Sequence, residues 1–104
     1  MSTKPFVAIV PHQLGRRDAR QRIQNGLARI RAEVAVFATV VEERWSDDRL
    51  EFRLRLVGQQ LTGRIEVLEE AVRVEVDLPW ILAALSGRLG ARIRNVGTLM
   101  LKKD

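Results

Sequence analysis

A single histidine, His12, and three pairs of adjacent acids, Glu42/Glu43, Asp47/Asp48 and Glu69/Glu70, are the side chains of this 104-residue chain best suited to move a proton. His12 follows an apolar run, Phe6-Val7-Ala8-Ile9-Val10, and precedes a helical pattern, a common place for functional side chains. The alternative is a structural histidine that bonds the loop backbone. Two of the acid pairs fall at expected hairpin tips, where acids favour turns and water, so no pair is assigned a catalytic role. Nucleophilic catalysis needs a nucleophile with a base in reach. The serines are Ser2, Ser46 and Ser86, none lies in a nucleophile motif, and cysteine is absent. One histidine and no cysteine argue against a zinc or iron site. No glycine-rich phosphate loop stands at a strand-to-helix turn. The expectation is a protein with no catalytic residues, no metal and no cofactor.

The remaining chemistry is binding, and charge is its clearest signal. The formal net charge is +5. Residues 16–34 carry six arginines against Asp18 and Glu33, a net +4, and residues 80–104 carry another +4. Residues 35–79 hold ten acids and six arginines, a net −4. Basic helices can attract nucleic acid, anionic lipid or an acidic partner; they can also be plain solvated faces. Single-strand stacking needs exposed aromatics among the cations, whereas most of Phe6, Phe37, Trp45, Phe52 and Trp80 sit in phase with apolar neighbours and read as core. Binding to an apolar surface needs a basic amphipathic helix that can leave the core. The last helix suits this better, with Trp80 at one end and Arg88, Arg92 and Arg94 on its flank. The candidate binding residues are His12, Arg16, Arg20, Glu43, Trp45, Trp80, Arg88 and Arg92.

The elements that must position these residues follow from periodicity. Between residues 40 and 78 apolar and charged side chains alternate almost strictly. Leu50, Phe52, Leu54 and Leu56 form one apolar set; Leu61, Gly63, Ile65 and Val67 form a second; Val72, Val74, Val76 and Leu78 form a third. A period of two sends neighbours to opposite faces, so each run is a strand with one oily and one charged face. Short connections predict antiparallel hairpins. The strand over residues 36–45 has an awkward phase: either Glu43 points inward near the sheet's end or a bulge resets the register. Gly63, on the oily face, leaves room for a closely packed helix or a bulge. The run over residues 6–10 is apolar on both faces and suits a strand covered on both sides, which implies a homodimer if the second cover comes from another subunit.

Ala19, Ile23, Leu27, Ile30 and Val34 recur at steps of three and four and predict one helix over residues 16–34. Gly26 inside it is read as a close approach to the sheet. Leu82, Leu85, Leu89, Ile93, Val96 and Met100 predict a second helix from residue 80, weakened by Gly87, Gly90 and Gly97 and turning or fraying beyond Gly97. The expected fold is α+β, a single two-layer domain in the order β-α-β-β-β-β-α, an antiparallel sheet with two helices on one face. Residues 1–104 form one domain, with residues 1–5 and 101–104 expected to be flexible. No apolar run approaches the roughly 18 residues needed to span a bilayer, and a cytoplasmic protein is the default expectation.

In order along the chain, Pro11-His12-Gln13-Leu14-Gly15, then Ala19 and Arg22, Trp45, Leu50 with Phe52, Gly58 with Gly63, and Leu78-Pro79 before Trp80 form a series of landmarks. The series resembles a small bacterial family, the polyhydroxyalkanoic acid (storage polyester) system proteins, over about residues 6–93. The chain departs from that pattern in the three glycines of its last helix and in the tail Leu99-Met100-Leu101, where relatives are expected to carry a longer charged helix. The resemblance implies association with polyester storage granules and brings no catalytic residue set. Three functions follow as expectations. The first is a non-catalytic accessory protein that binds a polyester granule surface or a granule-associated protein. The second is a nucleic-acid-binding or regulatory module that uses the basic helices. The third is a carrier of hydrophobic acyl compounds in a pocket between sheet and helices.

Overall fold

The computed structural model describes residues 3–36, 38–56 and 58–103, apart from the side chains of residues 3, 4, 34 and 80. Five strands form one antiparallel sheet: β1 (Thr3–Pro11), β2 (Thr39–Ser46), β3 (Arg49–Leu56), β4 (Gln59–Val67) and β5 (Ala71–Pro79). Their spatial order is β1-β5-β4-β3-β2. Three hairpins join β2 to β5, and β1 closes on the far side of β5, with Phe6 opposite Val76 and Val10 opposite Val72. The alternation sets the faces as expected: Leu50, Leu56, Leu61, Ile65, Val67, Val72, Val74, Val76 and Leu78 are all buried. The hairpin tips carry the two backbone conformations that a short reversal demands. Asp47 has φ 55° and Gly58 has φ 75°, in the left-handed region that Gly and Asp tolerate.

Helices α1 (Gly15–Asn25), α2 (Leu27–Val34) and α3 (Ser86–Met100) cover the oily face. The stretch expected to be one helix over residues 16–34 is two, because the chain bends at Gly26, whose amide bonds back to the carbonyls of Arg22 and Ile23. The close approach there is to α3 rather than to the sheet: a Cβ on Gly26 would stand 2.6 Å from Met100 Cε. Residues 80–85 form a 3₁₀ turn that buries Leu82, and the α-helix begins only at Ser86. It then runs through Gly97 to Met100 without turning early. Two of its glycines set its place. A Cβ at Gly97 would lie 2.9 Å from Val10, and one at Gly90 would lie 3.0 Å from Phe6. So α3 lies along β1, in the same direction, at a spacing that a larger residue at either glycine would crowd. Leu101 beyond it is buried, and Arg22 donates to the carbonyls of Met100 and Lys102 at 3.2 and 2.8 Å.

At Gly63 the neighbour is neither helix nor bulge. Phe52 pairs with it across the β3–β4 ladder, and its ring fills the space a side chain would take, with Glu75 O on the other side. The first strand has its inner side chains Ala8 and Val10 buried, while Val7 and Ile9 on the outer face are exposed.

The outer face of the sheet is a ladder of ion pairs. Arg64 donates to Glu75 at 2.7 Å and to both carboxylate oxygens of Asp77 at 2.8 and 3.2 Å. Thr62 donates to Asp77 at 2.9 Å, and Arg73 reaches Glu75 at 2.7 Å. The bonds from Arg64, aided by Thr62 and opposed by burial, hold the Asp77 carboxyl below its ordinary 3.8.

A depressed carboxyl contributes stability that is complete above its unfolded pKa and is lost as pH falls through the folded one. Asp77→Asn is therefore expected to lower the urea midpoint at pH 7 and at pH 5 by the same amount, with the gap to wild type closing below 3.8. A gap that persists undiminished at the lowest pH at which both proteins still fold contradicts it. The glycines supply a second expectation. Gly63→Ala places a Cβ 2.5 Å from Phe52 Cζ and 2.6 Å from Glu75 O and is expected to cost about 1–3 kcal/mol. Gly87→Ala meets nothing within 4 Å and is expected to gain about 0.5–1 kcal/mol of helix stability. Denaturant unfolding of the two variants measures both signs.

Candidate functional site

The helices do not close over the sheet. Because α3 is drawn down onto β1 and α2 packs on β2, the two lie toward opposite edges, and a cavity of about 140 Å³ remains between them. Its floor is Leu54, Leu61, Ile65 and Val74 of the central strands, and its walls are Leu27 and Ile30 of α2 with Leu89, Ile93 and Val96 of α3. All five wall residues are only half-buried, as expected of a cleft that reaches the surface. The lining is apolar except for Glu33, Glu43 and Arg92.

Those charged groups form a rim of two ion pairs. On β2 the register shifts between Val40 and Glu42, a bulge that leaves Val41 exposed and turns Glu43 toward the helices. Both alternatives raised by the awkward phase therefore hold together. Glu43 receives two bonds from Arg31 of α2, at 2.9 and 2.7 Å, the fork geometry that suits carboxylates. Its side chain keeps 20% of its exposure. Opposite, Arg92 of α3 donates to Glu33 of α2 at 2.9 Å, which ties the two walls together at one end. At the other end Met100 sits against Gly26.

Of the residues singled out in the sequence, Glu43 and Arg92 meet at this cleft. Arg16, Arg20 and Trp45 gather elsewhere, at the β2–β3 turn. Arg20 lies 4.5 Å over the Trp45 ring, donates to Asp47 O at 2.9 Å and pairs with Asp48 at 3.6 Å; Arg16 reaches Asp48 at 3.9 Å. These cations are committed to acids and carbonyls of the same chain. The indole N–H of Trp45 is buried with no hydrogen-bond partner among the described residues. Arg88 is exposed on α3, and the side chain of Trp80 lies outside those described. Periodicity picked out Leu27, Ile30, Leu89, Ile93 and Val96 as helix stripes but could not show that the stripes face a gap. Arg31 and Glu33 were not singled out; their positions beside that stripe were the available signal.

His12 occupies a third place and is structural. It is 8% exposed. Leu14 N–H donates to Nδ1 at 3.2 Å, so Nδ1 is the bare nitrogen, and Nε2–H donates to Leu68 O at 3.1 Å. The His12 amide also bonds Glu70 O at 3.0 Å. The ring thus pins the β1–α1 loop to the β4–β5 turn through both its nitrogens. Among the described residues no group of three or more His, Asp or Glu could hold a metal ion, and no helix is long and apolar enough to cross a membrane. His12→Ala leaves a donor and an acceptor without their partner and is expected to destabilise the fold by about 1–3 kcal/mol, read by denaturant unfolding. A neutral result refutes the pinning role.

The match to known proteins covers these same elements. A family model described as "Putative polyhydroxyalkanoic acid system protein" matches residues 8–99, from within β1 to near the end of α3. Among curated proteins and among solved structures no match is found. With β2 to β5, α1, α2 and both walls of the cleft inside the matched span, the chain belongs to the polyhydroxyalkanoic acid system protein family.

Proposed function

We propose that the protein is a non-catalytic accessory protein of polyhydroxyalkanoate storage-granule metabolism that binds the granule surface through the α2–α3 cleft. The observation that carries this reading is the apolar cleft itself, walled by half-buried aliphatic side chains and bordered by ion pairs that cancel in charge. A polyester surface offers alkyl groups and neutral esters, which suit such a lining. Family membership supplies the context. A carrier of single hydrophobic acyl compounds is the second reading, favoured by the same cavity. Nucleic-acid binding has less support, because Phe6, Trp45 and Phe52 pack against the core and Arg16, Arg20, Arg31 and Arg92 pair with acids of the same chain. A granule protein as the partner in place of the polymer is an outcome of the test below.

Purified protein is expected to sediment with polyhydroxyalkanoate granules stripped of their own proteins, and to remain bound at 0.5 M salt in roughly undiminished amount, because apolar burial is not screened as charge is. Pelleting only with granules that keep their proteins assigns the contact to a granule protein. Failure to pellet with either refutes the granule role. Binding to DNA or RNA that falls steeply with salt would instead favour the arginines.

A further inference from the structure

The cleft has a size and a rim chemistry that together define an occupant. A volume of about 140 Å³ is close to that of an engineered apolar cavity that accepts benzene, so it has room for an alkyl group of roughly six carbons. That is too small for a folded stretch of polymer and large enough for one side chain of it. The rim holds two guanidinium groups, Arg31 and Arg92, and two carboxylates, Glu43 and Glu33, already paired at 2.7 and 2.9 Å. A free fatty acid would bring a third carboxylate to two committed cations. A neutral ester brings no charge. Arg92 spends Nη1 on Glu33, and a guanidinium carries further N–H groups that can donate to an ester carbonyl. The outward lone pairs of Glu33 and Glu43 can accept from a hydroxyl.

Resting on the granule reading above, we propose that the α2–α3 cleft binds a single alkyl chain of a hydroxyacyl ester, the repeat unit of the storage polyester. The alkyl group lies between Ile30 and the α3 wall of Leu89, Ile93 and Val96, and the neutral ester and hydroxyl sit on the rim. Recognition is then by chain length inside and by the absence of charge outside.

The test is a calorimetric or fluorescence titration of the full chain with methyl esters of β-hydroxybutyric, β-hydroxyhexanoic, β-hydroxyoctanoic and β-hydroxydecanoic acids, beside the four free acids at neutral pH. Affinity for the esters is expected to rise roughly fourfold per added methylene until the alkyl group reaches about six carbons, and to flatten beyond. The acids are expected to bind roughly tenfold more weakly. Ile30→Trp fills the cleft and is expected to abolish ester binding, with an unchanged circular dichroism spectrum as the check on folding. Glu33→Gln removes one rim carboxylate and releases Arg92 from its pair, and it is expected to narrow the gap in affinity between the acids and the esters. No dependence on chain length, acids that match esters in the wild type, or a folded Ile30→Trp that still binds overturns the proposal. Granule pelleting without ester binding overturns it and leaves the granule role standing. Ester binding without pelleting upholds the ligand class and overturns the granule role in favour of a carrier.

Discussion

Gly90 and Gly97 let α3 settle onto β1 at a distance where an added Cβ would crowd Phe6 and Val10, and the rest of the architecture depends on that approach. A helix that packs through ordinary side chains stands about 10 Å above a sheet and can be centred on it; one that packs through glycine is held where its glycines are. Here they face the edge strand. At the other edge of the order β1-β5-β4-β3-β2, the bulge in β2 turns Glu43 inward to take the fork of Arg31, which keeps α2 over that side. Two helices pinned at opposite edges cannot also cover the centre. The cleft over β3, β4 and β5 is thus a consequence of where close packing was placed, and the Arg92–Glu33 pair and the Met100–Gly26 contact fix its two ends.

The charges divide by face in a way that supports this geometry. On the outer face Arg64, Arg73, Glu66, Glu75 and Asp77 satisfy one another across neighbouring strands, which is how an antiparallel sheet with one wet side normally spends its polar residues. On the helix side the pairs run between elements: α2 to β2, α2 to α3, and α1 to the β2–β3 turn. Exposed pairs of this kind add little stability. Their value is positional, because they hold separated elements in register while leaving the apolar space between them open. The excess of +5 is carried by what these pairs do not cancel and gives the surface a field that acts at long range.

How much of this was legible in the sequence follows from which interactions are local. Alternation over residues 40–78 set the strands, their faces and the hairpins, because a period of two admits one burial pattern, and Leu50, Ile65 and Val74 are buried as it requires. The helical stripes were equally plain. What was not legible depended on pairs far apart in the chain. Gly26 and Met100 meet across 74 residues of sequence, so the break between α1 and α2 had its cause in a segment that periodicity treats separately. Phe52 over Gly63 is visible only once the ladder register is known. Glu43 was flagged because its phase was wrong, and a violated pattern was the one local trace of the rim. Its partner Arg31 offered only its place beside the apolar stripe, which it shares with other arginines of a basic helix face.

The cleft also carries an energetic cost. Leaving about 140 Å³ unfilled forgoes roughly 3 kcal/mol relative to close packing, against a total of about 5–15 kcal/mol for a domain of this size. That is a large fraction of the total. A ligand present at a hundred times its dissociation constant returns about 2.7 kcal/mol to the folded state, the same order as the packing forgone. In the reading proposed above, an alkyl chain between α2 and α3 regains contacts with Ile30, Leu89, Ile93 and Val96 that the two helices forgo by standing apart.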